Sequence, residues 1–156
     1  MQTWLIVVLV VVVLVVLAGL ALNPLIAKKN DAAIKACKDA LGADAIVAIE
    51  PRAVGFGTEP EEAGGLRGQG CLAVSDAEIM FVTTAGNRSF RLPVASVTGV
   101  DTSGDPRGAA KAMVIVSYTD PTHGEATASW RVPEVPVWLT AFGYDWGDEG
   151  PPAVED

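Results

Sequence analysis

The chain has 156 residues, half of them apolar, with 19 acidic side chains against 11 basic ones and a formal net charge of −8. Beyond its apolar opening stretch about 130 residues remain, enough for one domain with a core of its own and too few for two. From Gly42 onward seven basic residues stand against seventeen acidic ones, an imbalance that excludes a nucleic-acid footprint and broad adsorption to an anionic membrane surface.

Trp4 to Leu22 carries no charge and no strong hydrogen-bonding side chain. As a helix it would reach about 28 Å, close to the ~30 Å hydrocarbon core of a bilayer. In lipid the backbone must satisfy its own hydrogen bonds, so residues 1–27 are predicted to form a transmembrane anchor. The alternative is a cleaved signal peptide. Gly19-Leu20-Ala21 would serve as its cleavage site, but Met1-Gln2-Thr3 lacks a basic residue and the apolar run is long for a signal. Lys28, Lys29, Lys35 and Lys38 follow the run. Basic residues beside a span favour the cytoplasmic side, so the expected product is a single-pass cell-membrane protein with its N-terminus outside and its C-terminal domain cytoplasmic.

Residues 28–42 read as a connector helix. Ile34, Cys37 and Leu41 recur at i, i+3 and i+7, and Gly42 follows as a C-terminal cap. The thin apolar face is compatible with packing on the domain, lying on the membrane or moving freely; packing is favoured. Cys37 and Cys71 lack a metal-type spacing and do not make a disulfide framework, so they read as reduced, buried thiols.

From residue 43 the period becomes strand-like. Ala45 to Ile49 is an apolar run ending at Pro51, and Val54 and Phe56 continue it between glycines. Thr58 to Gly70 is an acidic, glycine-rich loop. Strands are predicted at Gly70–Val74 and Glu78–Thr83, the latter apolar on both faces. Arg88–Leu92 alternates and ends at Pro93, and Val97–Asp101 is another short strand. After a turn cluster at Thr102–Lys111, Met113–Tyr118 and Ala126–Val132 form a hairpin across Asp120-Pro121-Thr122-His123-Gly124. Val135, Trp138, Leu139 and Phe142 then mark a short amphipathic helix with Pro136 in its first turn and Gly143 after it. Residues 145–156, acidic and rich in proline and glycine, have nothing to bury beyond Trp146 and are expected to be disordered.

About seven short strands closed by one C-terminal helix describe an α+β, mainly β domain over residues 43–144: an antiparallel barrel or orthogonal sandwich, preceded by a transmembrane helix. The run Gly68-x-Gly70-x-Leu72-x-Val74-x-Asp76-x-x-Ile79-x-Phe81, followed by Leu92-Pro93 and by Val97 and Val100, resembles bacterial pleckstrin-homology (PH)-like and GRAM-like domains. Ser129-Trp130-Arg131-Val132 and Val137-Trp138-Leu139 are similar to the last strand and closing helix of membrane-anchored PH-like proteins of bacteria. The resemblance spans roughly Ala45 to Gly143. It implies a binding platform for lipids, peptides or proteins. It departs from the lipid-binding pattern where a basic cluster would hold a headgroup, since Arg52 and Arg67 stand there among Glu59, Glu61 and Glu62.

A catalytic constellation is not visible in the sequence. His123 is the single histidine and falls in a hairpin turn, and neither Ser75 nor Cys71 has a second histidine to activate it. The three loop glutamates lack the fixed elements of a metal site, and Gly64-Gly65 and Gly68-x-Gly70 lack the lysine and helix of a phosphate loop. Asn87-Arg88-Ser89 has glycosylation spacing but a cytoplasmic prediction. Trp130 and Trp138 read as the joint between last strand and closing helix. The expectation is a membrane-anchored, non-catalytic binding or scaffolding module with a protein partner at or near the membrane. It has no catalytic, cofactor or metal residues, and no binding residue can be assigned. The alternatives are a binder of a lipid or small apolar ligand in the barrel mouth, and an exported structural or interaction domain.

Overall fold

The computed structural model describes residues 27–85, 88–107 and 112–152. Helix α1 covers residues 27–41. Seven strands follow: β1 (Ile46–Glu59), β2 (Arg67–Ser75), β3 (Glu78–Thr83), β4 (Ser89–Pro93), β5 (Val97–Thr102), β6 (Met113–Asp120) and β7 (Gly124–Arg131). Helix α2 (Val135–Ala141) comes after them, with Pro136 in its first turn. The anchor predicted at Trp4–Leu22 lies outside the described residues, and among those described no helix is long and apolar enough to cross a membrane.

All seven strands belong to one antiparallel sheet in the order β4-β3-β2-β1-β7-β6-β5. This corrects the closed barrel or orthogonal sandwich expected from the sequence. The edge strands β4 and β5 are not hydrogen-bonded to each other, so the sheet stays open. The physical reason lies between them. Pro93 ends β4 without a backbone donor, and a 3-10 turn at Val94–Ser96 packs against β3 and β6 instead of extending either edge. Side chains rather than ladder bonds bridge the gap: Phe90 on β4 and Tyr118 on β6 meet edge to face with ring centroids 6.3 Å apart.

Strand β1 is the longest, at 14 residues, and reads through Pro51 and the glycines that suggested a break. It pairs with β2 along most of its length, with irregular register between Glu50 and Ala53, around Pro51. Against β7 it pairs only from Val54 to Glu59. The acidic loop is correspondingly shorter than expected, since β1 runs to Glu59 and β2 starts at Arg67.

The main core fills one face of the sheet. Phe81, Phe90 and Phe142 each lie tilted against Trp130, with centroids 6.1 to 6.4 Å from its own, and α2 packs against β1 and β6. Trp130 and Trp138 are both buried, and Phe142 stands between them, 5.5 Å from Trp138. The opposite face carries a second cluster, in which Ala33 and Cys37 of α1 pack on Cys71, Ala73, Met80 and Val82. That packing explains why β2 and β3 are apolar on both faces.

Candidate functional site

The β2–β3 turn, the start of β1, helix α2 and the tail enclose an apolar groove of about 620 Å³, open on one side. Each wall has a local cause. Val135, Trp138, Leu139 and Phe142 turn one stripe of α2 into the core, which leaves Val137 and Ala141 half-buried toward the groove. Val47 and Ala48 come from the half of β1 that β7 does not reach. Val47 is the one large hydrophobic residue standing clearly exposed among the described residues, at 58%.

The outer wall is the tail. Tyr144 donates its backbone N–H to Leu139 at 2.8 Å, and Trp146 packs edge-on against Tyr144 and donates Nε1–H to Thr140 Oγ1 at 3.0 Å. Arg107 lies over the Trp146 ring, 5.4 Å from its centroid, and pairs with Glu149 at 3.1 Å. These contacts bring Pro151 and Pro152 to the groove. They account for residues 145–152 of the tail expected to be disordered; the last four lie outside the described residues.

One charged side chain lines the groove, the exposed carboxylate of Asp76. It has no ion-pair partner among the described residues, whereas its neighbour Glu78 holds Arg91 through two bonds, one of them 2.8 Å from Arg91 Nε. Ser75 beside it is nearly buried. Its hydroxyl donates to Glu78 O at 3.2 Å and accepts the N–H of Glu78 at 3.1 Å, so it closes the turn. The groove can therefore hold apolar matter and meet a positive charge at one end.

The residues weighed for chemistry are scattered. His123 lies in the β6–β7 turn, its Nδ1 2.9 Å from Asp120 Oδ1. Backbone N–H groups of His123 and Thr122 at 2.7 and 2.9 Å reach the same oxygen, and they hold the Asp120 carboxyl below the usual carboxylate range. Cys37 and Cys71 are free and fully buried between α1 and the sheet, the Cys37 thiol directed at the Cys71 carbonyl oxygen. The neighbouring Cys37 thiol and, after it, burial push the Cys71 thiol well up.

Glu59, Glu61 and Glu62 are exposed, Glu61 paired with Arg67, and the Arg52 N–H is taken by Glu50 Oε1 at 2.8 Å. Among the described residues no group of three or more His, Cys, Asp or Glu could hold a metal ion. Asn87 of the glycosylation triplet lies outside the described residues.

Sequence reasoning assigned no residue to the groove. Two signals were present: Ala45 to Ile49 is apolar on both faces, and Val137 is apolar although it falls outside the buried stripe of α2. No protein-family model matches the chain, and no curated protein matches it.

Proposed function

We propose that the chain is a non-catalytic binding module, held at the membrane by its apolar N-terminal stretch, that takes a protein partner through the groove between α2 and the start of β1. The observation that carries this reading is the groove itself. Its volume of about 620 Å³ falls within the range of ligand sites, and its walls are mostly apolar with one ionised group. The resemblance carried by residues 68–100 supports it too, because PH-like domains act mostly as binding platforms. Tethering raises the effective concentration of a weak binder toward partners on the same membrane. A second reading, in which the groove takes a lipid or another small apolar ligand, draws on the same apolar lining.

The test is photocrosslinking from the full chain in native membranes, with the reactive group at position 47 and, as a control on the far turn, at position 125. A discrete protein adduct from position 47 that disappears on Val137→Arg, and is missing from position 125, is expected. Equal adducts from both positions, or an adduct indifferent to Val137→Arg, would overturn it. Solvent-extractable lipid crosslinked at position 47, with no protein adduct, would favour the second reading.

A further inference from the structure

The wall of the groove that β1 provides is unlike the others. Over Val54–Phe56 this strand lies between β2 and β7, and β7 alone continues beside it to Glu59. Over Ile46–Glu50 its one strand partner among the described residues is β2, because β7 has already ended at Arg131 and the chain has turned into α2. The unpartnered side of this half-strand opens where Val47 and Ala48 line the groove. Among the described residues, none of the backbone hydrogen bonds made by loops and turns reaches residues 46–53. Alternate backbone N–H and C=O groups on that side therefore have no strand or turn partner among the described residues, beside an otherwise apolar cleft.

We propose that the groove takes an extended peptide segment of a partner protein as an added strand on the free edge of Ile46–Glu50, with a lysine or arginine of that segment at Asp76. This rests on the binding reading above and specifies the ligand. An alkyl chain filling the cleft would cut the edge off from water with nothing to bond it, whereas a peptide backbone supplies the missing donors and acceptors. Its side chains on one face would lie between Val47, Val137 and the Pro151-Pro152 wall. Pro51 has no N–H, so the pairing runs out there. That leaves five residues of edge, about 17 Å of added strand at ~3.3 Å per residue. The charge preference follows from Asp76, which has no counter-ion among the described residues, and from the acidic surplus of the chain beyond Gly42.

The experiment uses the full chain in nanodiscs of neutral lipid. A randomised seven-residue peptide library is selected on it and counter-selected on Val137→Arg. Val47→Arg, at an exposed position, serves as a second blocking variant, and tryptophan emission reports folding of both. Enriched peptides are expected to alternate apolar residues and to carry a lysine or arginine at one end. Methylating alternate backbone nitrogens of an enriched peptide should weaken it at least tenfold, and Asp76→Asn should remove its advantage over the glutamate-ended version.

Undiminished binding of the methylated peptides would overturn strand addition. So would a library that enriches nothing over both folded blocking variants. If either occurs while the position-47 protein adduct still forms, the inference alone fails and the binding reading stands. If the adduct is missing as well, both fail. Enriched peptides indifferent to Asp76→Asn would overturn the charge assignment.

Discussion

Phe81 lies against the backbone at two glycines. A methyl group on Gly55 would come 2.7 Å from its Cε1, and one on Gly70 would come 2.9 Å from its Cε2 and 2.2 Å from the Val82 carbonyl oxygen. The ring, fully buried and tilted against Trp130, has no room to give. Gly70→Ala should therefore destabilise the domain by about 1–3 kcal/mol, the usual range for overpacking, read as a lower urea midpoint at unchanged slope. At the β6–β7 turn, Asp120 is the group to titrate. Its folded carboxyl lies below the unfolded value of about 3.9, so its contribution is complete above that pH and is lost as the pH falls through the folded value. NMR titration should find Asp120 ionising below the ordinary aspartate value, and Thr122→Pro, which removes one donor N–H, should bring it back toward that value.

Helix α1 is held to the sheet by small side chains, among them the buried thiol of Cys37. Cys37 donates toward the Cys71 carbonyl oxygen at 3.8 Å, and neither residue is exposed. A thiol reagent at pH 8 is expected to find no reactive group in the native protein and two after denaturation. Rapid labelling of the native protein would mean that α1 leaves the sheet. The helix was legible because Ile34, Cys37 and Leu41 keep its period, and α2 because four apolar residues sit at i, i+3, i+4 and i+7. The buried stripe of α1 nonetheless centres on Ala33 and Cys37, with Ile34 and Leu41 only half-buried. Alanine is too common on exposed helix faces to announce which side is covered. The continuity of β1 through Pro51 was not legible either, because a proline reads as a strand end unless it is known to fall at a bulge.

At the scale of the molecule, the strand composition and the closing helix could be read from periodicity, but whether the sheet closes could not. Closure depends on how β4 and β5 approach each other; Pro93 marks where β4 ends, but where the turn after it packs, against β3 and β6, is set by the tertiary fold. The groove was hidden for the same reason: Val47, Asp76, Val137 and Pro152 come from four separate parts of the chain. The strand order has a further consequence, in folding. β1 must wait for β7 to complete the centre of the sheet, since Val54 pairs with Arg131 and nearly the whole domain is threaded between them. Such non-local pairing is slow to form. During synthesis the β2–β3 hairpin emerges early with two apolar faces, and the second of these stays bare until β7 and α2 have followed. Among the described elements α1 alone is made before any strand, so it is available in time to cover the other face of that hairpin, and its loss is expected to raise aggregation during synthesis.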